Sequence, residues 1–547
     1  GEALDKKTPL LRSVEALSAQ SVRILRLFGD TVTNRIHVSC GAEQEYFLID
    51  KKLWKKRSDL VFTGRTLLGA KPPKTQEMDD HYFGTLKERV SAFMKELDTA
   101  LWKVGVPAKT KHNEVAPAQH ELAPIFETVN IACDHNQITM ELMKKIADHH
   151  GMVCLLHEKP FAGINGSGKH DNWSITTPAG VNLLNPGKTP RENAQFLVFL
   201  CAVISAIDNH AELIRASAAN AGNDHRLGAQ EAPPAIISIF LGDELTEVLE
   251  QIEKGEKHPT NFGGVLDIGV PSLPNLSLDT TDRNRTSPFA FTGNKFEFRM
   301  VPSSASIAGP NTVLNTIVAE SLCAIADRLE SATDFNKELN ELLAEIITKH
   351  KRIIFNGNGY GEEWIKEAAR RGLPNINNSV DSYKAFIYPD SVSMFEKHHV
   401  YTETELRARY EIKMEKYTKI VGIEAQTLLQ MMSREIVPAC IRFADSVSQS
   451  INHIKATGIP CDMLPEEELL RKVTSGLSTL YKAMKKLEKA TEKMERLSDD
   501  FIAQATFARD SLVSDMLEIR KHTDYLETIV GKEFWPIPTY SDLIYSV

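Results

Sequence analysis

The sequence is organised around two segments, NEVAPAQHE (residues 113–121) and INGSGKHDNWS (residues 164–174). EQE (residues 43–45) lies upstream of them, and KFEFR (residues 295–299) lies downstream. In each segment, carboxylates or a histidine alternate with other residues, which is typical of a strand whose opposite face packs on a core. We therefore predict strands that carry these polar side chains on one face.

These polar positions predict a metal site. Carboxylates that lie close together are costly unless a cation sits between them. Oxygen-rich ligation with a single imidazole suits Mg²⁺ or Mn²⁺ rather than a metal that prefers thiolates. We predict two adjacent divalent-metal positions. The ligands would be Glu43, Glu45, Glu114, Glu121, His170 and Glu297. Taken singly, a Glu-x-Glu run is more often a solvated strand face and a lone histidine more often a core residue, so the prediction depends on all four segments together.

Arginines form a second cluster in the sequence, at Arg226, Arg283, Arg285 and Arg299. Arg226 shares a Gly- and Asn-rich loop with Glu231, and we predict that this loop is flexible. A guanidinium binds carboxylates and phosphates in a bidentate manner, and metals together with arginines are typical of phosphoryl transfer. GSGK in the segment 164–174 is not a phosphate-binding loop, because the spacing GxxxxGK[ST] is absent.

Composition limits the classes of protein to which this chain can belong. The chain has 547 residues, a formal net charge of −9 and a pI near 6.1, and it has no long Lys/Arg block, so nucleic acid is not an expected partner. Seven cysteines are widely spaced and form no CxxC motif, which favours a reducing, cytoplasmic location. No signal peptide and no run of about 18 apolar residues is present, so we predict no membrane span.

Hydrophobic periodicity predicts alternating helices and strands up to about residue 312 and helices beyond it. The predicted helices are 9–28, 84–103, 129–149 and 191–219, and the predicted strands are two around Gly41, a pair around residues 113–121 bent at Pro117, 152–158 and 236–240. Residues 51–80 are predicted to be a surface excursion, and residues 280–294 a loop. A heptad-like seam over residues 473–494 is predicted to pair with a helix over 498–528, and the aromatic tail 533–547 to pack on the body.

Six segments in this order resemble the signature segments of the glutamine synthetase family: EQE, NEVAPAQHE, NGSGKH, RLGAQE, DRNRTSP and KFEFR. The residues within these segments, the long segment 51–80 after EQEYFLID and the long helical C-terminus are most similar to those of the type III members. The resemblance implies an α+β fold, with a curved antiparallel sheet backed by helices and an extended helical region. Residues 1–330 would form the catalytic domain and residues 331–547 the helical C-terminal region. The family's N-terminal β-grasp domain is missing before Glu43, so we expect the chain to be part of a longer enzyme.

The resemblance also implies an activity: ligation of ammonia to L-glutamate with ATP, through γ-glutamyl phosphate, in a dodecamer of two stacked hexameric rings. Two metals would be held, one by Glu45, Glu114 and Glu121 near glutamate and one by Glu43, His170 and Glu297 near ATP. Substrate groups would be bound by Asn165, Gly166, Arg226, Arg285 and Arg299, and Glu231 would take a proton from ammonium. The nucleotide end would include Asn172, Ser174, Arg283 and Lys295.

The chain also departs from the wider family pattern. Ala290 stands where many members have a second arginine, and Arg283 is the alternative phosphate contact. Asn172 stands where a second histidine is common, and Lys295 where an arginine is common. Two other functions remain open from the residues: a γ-glutamyl-amine ligase on the same scaffold, and an inert relative with a structural or regulatory role.

Overall fold

The computed structural model describes residues 3–230, 232–255, 265–266, 276–277, 287–497 and 500–547. The helices are α1 (Lys7–Leu27), α2 (Lys51–Trp54), α3 (Ser58–Thr63), α4 (Glu88–Lys103), α5 (Val129–His149), α6 (Ala194–Asn209), α7 (Ala211–Ser217), α8 (Ala221–Arg226), α9 (Asp243–Lys254), α10 (Ala308–Glu330), α11 (Phe335–His350), α12 (Glu362–Arg370), α13 (Ser379–Ser382), α14 (Pro389–Lys397), α15 (Glu403–Met431), α16 (Val437–Ala456), α17 (Leu464–Glu495), α18 (Phe501–Phe507), α19 (Val513–Ile529) and α20 (Tyr540–Ile544). The strands are β1 (His37–Asp50), β2 (Ala108–Asn113), β3 (Gln119–Pro124), β4 (Glu127–Thr128), β5 (Met152–Leu155), β6 (Gly168–Thr176), β7 (Ile239–Phe240), β8 (Val265–Leu266), β9 (Leu276–Ser277), β10 (Phe289–Phe291) and β11 (Phe296–Pro302).

One sheet of nine strands positions the polar segments, in the order β2-β3-β1-β6-β11-β10-β7, with β4 and β5 also paired to β1. All pairs in this sheet are antiparallel except β10 with β7, which is parallel. Helices cover the sheet, and beyond α10 the described residues are helical apart from their connections. The α+β prediction is therefore confirmed, with a mixed sheet in place of a purely antiparallel one.

The centre of the sheet is a single strand, so the prediction of two strands around Gly41 is wrong. β1 is continuous over 14 residues because it pairs with β6 over residues 37–44 and with β3 over residues 44–47. A Cβ on Gly41 would lie 3.3 Å from the Cβ of Phe126, so glycine lets the neighbouring chain approach closely here. The alternation of β1 then sends Tyr46 and Leu48 to a core with α4 and α5, and Phe47 to a second core with Phe161.

The predicted surface excursion over residues 51–80 is confirmed only in part, because distant parts of the chain cover several of its residues. Its first residues form α2 and α3, and Arg57, Asp59 and Leu68 are fully buried, whereas most of residues 71–80 are exposed. Arg57 pairs with Asp59 and donates to the carbonyl of Pro538 at the other end of the chain. The tail that supplies Pro538 packs on the body as predicted, with the Tyr540 side chain buried against Phe161.

Three predicted elements differ in extent. Residues 191–219 form α6 and α7, which meet at a bend of 80° near His210, rather than one helix. Residues 289–291 are strand β10 rather than loop, because they pair with β11 and β7. The predicted helix 498–528 is α18 and α19 joined by a π-helical turn at Ala508–Leu512, and α19 packs along α17 as the seam predicts.

No single helix among the described residues has both the length and the apolar character needed to cross a membrane. The bent pair α6 and α7 meets these criteria together, but its apolar side chains form part of the buried core.

Candidate active site

Strand register brings the first group of predicted ligands together. Glu43 on β1 lies opposite His170 on β6, and Glu297 on β11 lies opposite Asn172, two residues further along β6. The Nδ1 atom of His170 is 2.9 Å from Oε2 of Glu43 and 3.1 Å from Oε1 of Glu297. One ligand atom from each of Glu43, His170 and Glu297 lies within 4.8 Å of the others. Three separate segments of the sequence thus meet at one point.

The electrostatics of this first group are those of a cation between two anions. Burial opposes the charge on His170, but hydrogen bonds with Glu297 and Glu43 raise its pKa well above its usual value. Burial also opposes ionisation of Glu43, yet the hydrogen bond with His170 holds the pKa of this carboxyl below its usual value. Two carboxylates thus lie at the His170 ring, and a metal ion held by all three groups would offset their negative charge in place of a proton on the imidazole.

A second group forms where β2 and β3 turn back on each other. One ligand atom from each of His112, Glu114 and Glu121 lies within 4.8 Å of the others. The Nε2 atom of His112 is 2.8 Å from Oε2 of Glu121, and its Nδ1 atom is 3.6 Å from Oε1 of Glu114. Burial and the neighbouring carboxylates of Glu45 and Glu121 raise the pKa of Glu114 to about 8. The hydrogen bond to Glu121 raises the pKa of His112 to about 9.

The hairpin turn, rather than a bent strand, presents Glu114. Residues 114–118 connect β2 to β3, so Pro117 lies in a turn and not within a strand as predicted. The Glu114 amide donates to the Gln119 carbonyl, and Ala118 adopts a left-handed φ of 63°. The turn directs Glu114 back toward Glu121, which the prediction ascribed to a bend in the strand.

Glu45 lies between the two groups. It is the cross-strand partner of Glu121, and its Oε2 accepts a hydrogen bond of 2.6 Å from the Gly168 amide. Burial raises the pKa of Glu45. We predicted that Glu45 would form a ligand set with Glu114 and Glu121. In the structure, the three residues whose ligand atoms lie within 4.8 Å of one another are Glu114, Glu121 and His112. The sequence reasoning missed His112, although it stands two residues before Glu114 and so follows the period of a strand.

Arg226 is held by burial and hydrogen bonds, whereas the flexibility of the loop that follows it stays a prediction. It ends α8, is 3% exposed, and donates from Nη1 to Oδ1 of Asn223 and from Nη2 to the Arg299 carbonyl. Burial lowers its pKa. A Cβ on Gly168 would lie 2.2 Å from Nη2 of Arg226, so only glycine leaves room for this guanidinium.

Arg299 shares the face of Glu297, as predicted, with Nη2 3.1 Å from Oε2 of Glu297. It lies where the register between β11 and β6 shifts, between Phe298 and Val301. Bulges of this kind change the direction of a side chain near functional sites. Buried arginines thus lie beside both the first ligand group and Glu45.

The predicted substrate segment is held by side chains from two other segments. Asn165 donates from Nδ2 to Oε1 of Gln119, and its amide donates to Oε1 of Gln76. Gln119 in turn donates to the Gly166 carbonyl at 2.9 Å. A Cβ on Gly166 would lie 2.5 Å from the carbonyl of Glu158, which explains the glycine. Gln76 and Gln119 give no signal in the sequence because their role depends on the tertiary contact.

The residues predicted for the nucleotide end are spread along β6 and the turn before β11. Asn172 donates to Oε1 of Glu43 at 3.1 Å and so lies beside the first ligand group. Ser174 lies further along β6 and donates to the Asn294 carbonyl, next to Lys295. The predicted residues Glu231, Arg283 and Arg285 lie outside the described residues.

The donor sets fit divalent cations. Each group offers two carboxylates and one imidazole, with its ligand atoms close enough to share an ion. Hard cations such as Mg²⁺ and Mn²⁺ accept such ligands. Burial and the neighbouring carboxyls raise the pKa of Glu114, and a cation between these carboxyls would favour their ionised forms.

Two family models match this chain: the "Glutamine synthetase, catalytic domain" over residues 26–236 and the "Glutamine synthetase C-terminal domain" over residues 338–455. A protein named glutamine synthetase from Butyrivibrio fibrisolvens is 47% identical over 100% of this chain and 78% of its own length. A type-3 glutamine synthetase from Dictyostelium discoideum is 44% identical, over 100% of this chain and 75% of its own. A glutamine synthetase from Bacteroides fragilis is 41% identical, over 100% of this chain and 76% of its own.

Proposed function

The chain belongs to the type III glutamine synthetases, which are glutamate–ammonia ligases, and from this premise we propose that it forms glutamine by phosphorylating glutamate with ATP at a site with two divalent metals. The observation that carries the proposal is the pair of ligand groups, Glu43–His170–Glu297 and His112–Glu114–Glu121, on adjacent strands of one sheet. Two metal positions beside buried arginines suit the transfer of a phosphoryl group between anions.

The proposed reaction has two steps. An oxygen of the γ-carboxylate attacks the γ-phosphorus of ATP, ADP leaves, and γ-glutamyl phosphate forms. Ammonia then attacks the carbonyl carbon of the γ-carboxyl group, the bond from this carbon to the phosphate oxygen breaks, and phosphate leaves with the oxygen that came from glutamate. The first step is needed because a free carboxylate has no adequate leaving group. Bound divalent cations would offset the charge that accumulates when ATP meets glutamate.

The protein's own residues would bind and orient the substrates. Arg226 is a buried guanidinium without a carboxylate hydrogen bond among the described residues, which suits it to the α-carboxylate of glutamate. Asn165 and Gly166 would contact the amino end, and Arg299 the γ-carboxylate or the transferring phosphate. Arg285 would share that role, and Arg283, Asn172, Ser174 and Lys295 would lie toward ATP. Glu45 would remain a metal ligand next to Glu121.

Deprotonation of ammonium and exclusion of water complete the proposal. Ammonia is a nucleophile only after ammonium loses a proton, and we assign Glu231 as the base. The segment 220–234 would cover the intermediate, because an acyl phosphate is hydrolysed by water that reaches it. α8 anchors the start of this segment through Asn223, which donates to the carbonyls of Ala218 and Met300.

We further propose a cytoplasmic homododecamer of two stacked hexameric rings. β2 supports an assembly in which sites lie between subunits: among the described residues, it pairs only with β3, so one edge is open next to the second ligand group. Light scattering on the full-length protein tests the mass of this assembly.

Isotope transfer tests the reaction. Full-length protein with glutamate labelled with ¹⁸O in the γ-carboxylate should release ¹⁸O-phosphate only with ATP and either ammonium or hydroxylamine, and with hydroxylamine it should form γ-glutamyl hydroxamate. Amines other than hydroxylamine should not replace ammonium, which separates this reaction from that of a γ-glutamyl-amine ligase. Glu114→Gln and Glu297→Gln should each lower kcat by about 100-fold or more. Glu141→Gln, on the exposed face of α5, is the matched control and should leave kcat unchanged. Unlabelled phosphate, or full activity of both ligand variants, would refute the mechanism.

A further inference from the structure

A cavity of about 340 Å³ lies outside the two ligand groups, where the catalytic segments meet α19. One wall is formed by Arg65 and Leu67, which follow α3, and by Lys159. The opposite wall is formed by α19, including Met516 and Leu517. The volume is within the range of sites for small molecules. Three lining residues, His225, Ala229 and Gln230, belong to the segment 220–234 that we propose covers the intermediate, whereas no proposed metal ligand or substrate contact lines the cavity.

Among the described residues, the cavity is lined by basic side chains and by no Asp or Glu. The basic residues are Arg65, Lys159 and Arg520; His225 also lines the cavity, but burial lowers its pKa to about 3, so its imidazole is neutral. Arg65 pairs with Glu424 and Arg520 pairs with Asp524, but these carboxylates do not line the cavity. The lining therefore favours an anion.

Lys159 is the basic group least compensated by its surroundings. It is 5% exposed and has no ion pair with any residue that the structure describes. Its Nζ donates instead to the Ile164 carbonyl and, at 2.9 Å, to Oε1 of Gln230. Burial and the proximity of Arg226 lower its pKa to about 7. A carboxylate near Nζ would favour its charged form.

The α19 wall is apolar apart from Arg520. Val513, Met516 and Leu517 line it, and Leu517 is 57% exposed at the surface. An inorganic anion would leave this wall in contact with water, whereas a short hydrocarbon chain would cover it.

We infer that this cavity binds a small organic acid, with its carboxylate among the basic residues and its hydrocarbon part against Val513, Met516 and Leu517 of α19. No residue of the cavity belongs to either ligand group. The acid is therefore a ligand in addition to the three proposed substrates, bound where the helical region contacts the catalytic segments.

Binding of the acid in this cavity would affect the predicted substrate segment around Asn165 through Lys159. The Ile164 carbonyl that Lys159 holds directly precedes Asn165, which we propose contacts glutamate. A carboxylate that accepts a hydrogen bond from Nζ competes with this carbonyl, so the acid should raise the KM for glutamate more than it lowers kcat. This second effect rests on the proposed function, whereas binding does not.

Binding is tested with 4-bromobenzoate, whose aryl bromide is stable in water, on the full-length protein in saturating glutamate. Anomalous scattering in crystals should place bromine beside Val513 and Met516. Leu517→Glu adds an anion at the mouth of the cavity, and should weaken binding measured by calorimetry by about tenfold or more. Leu517→Gln has a similar size without charge and should change it by less than about threefold. The neutral 4-bromobenzyl alcohol should bind more weakly than the acid. Inorganic phosphate should not compete.

Several results would overturn the inference: bromine density only beside Arg226, equal binding by both Leu517 variants, or binding of the alcohol or of phosphate as strong as that of the acid. The effect on KM must also disappear in Leu517→Glu and persist in Leu517→Gln, since an acid that competes in the glutamate site would raise KM in both. Lys159→Met should bind the acid weakly, and its KM should not respond. If the protein makes no glutamine, the proposed function fails while the crystallographic test still decides whether the acid binds.

Discussion

At the residue scale, the site depends on glycines as much as on ligands. Gly168→Ala should displace the guanidinium of Arg226, because the new Cβ would lie 2.2 Å from Nη2. The end of a flexible side chain can move, so the fold should persist while the KM for glutamate rises by roughly tenfold or more. Steady-state kinetics and the thermal midpoint, measured together, separate these effects.

The matched control is Gly309→Ala in α10, where a Cβ meets nothing within 4 Å. It should leave both KM and the thermal midpoint close to the parent values. A Gly168→Ala enzyme with an unchanged KM would remove Arg226 from glutamate binding.

His112 offers a second test at this scale. His112→Asn removes the imidazole next to Glu114 and Glu121, so we expect Mn²⁺ affinity at one of two sites to fall by about tenfold or more. Electron paramagnetic resonance of free Mn²⁺ measures this directly. His149→Asn, an exposed histidine paired with Glu96, should bind Mn²⁺ like the parent. Equal affinity in both variants would mean that His112 only forms a hydrogen bond with Glu121.

At the element scale, α19 holds the segment that follows α3 through carboxylates. Asp524 accepts from the Gly69 amide and Glu527 from the Ala70 amide. Burial raises the pKa of Glu527 to about 7, although its ordinary value is 4.5. The stability that this group contributes is thus present below pH 4.5 and is lost as the pH rises through 7.

Glu527→Gln should therefore stabilise the protein above pH 7, by about 2 kcal/mol, because the amide keeps an acceptor oxygen without the charge. At pH 4.5 the variant and the parent should have similar midpoints. Thermal unfolding at fixed scan rate over pH 4.5–8.5 measures the difference. Glu533→Gln, which is exposed, should follow the parent throughout. A variant that is destabilised equally at all pH values would contradict the assignment.

At the scale of the whole molecule, buried ion pairs join the helical region to the catalytic segments. Arg65 donates from Nε and Nη2 to the two oxygens of Glu424 on α15, both at 2.7 Å, and Glu424 is 2% exposed. Arg65→Met leaves this carboxylate buried without a partner and should cost about 3–5 kcal/mol. Denaturant unfolding measures the loss.

The double variant Arg65→Met with Glu424→Leu should recover most of that stability, since it removes both charges. Lys419→Met breaks the exposed pair with Glu415 and should change stability by less than about 1 kcal/mol. If the double variant is no more stable than the single one, the loss comes from packing rather than from an unpaired charge.

The sequence by itself determined which side chains lie on the polar face of the central strand β1. Strand alternation puts Glu43 and Glu45 on one side of β1, and the ordered motifs identify the family, because both depend on local spacing. The helix Val129–His149 follows in the same way from its apolar period.

Only the tertiary structure decided which side chains meet. His112 joins Glu121 through the register of β2 and β3, and Arg226 is fixed because Asn223 and the Arg299 carbonyl hold it. Part of the segment 51–80 is buried because the C-terminal tail packs against it: the hydroxyls of Thr66 and Tyr540 lie 2.7 Å apart. Contacts between residues that are hundreds of positions apart produce no hydrophobic periodicity in the sequence. They depend on tertiary packing and not on local conformational preference.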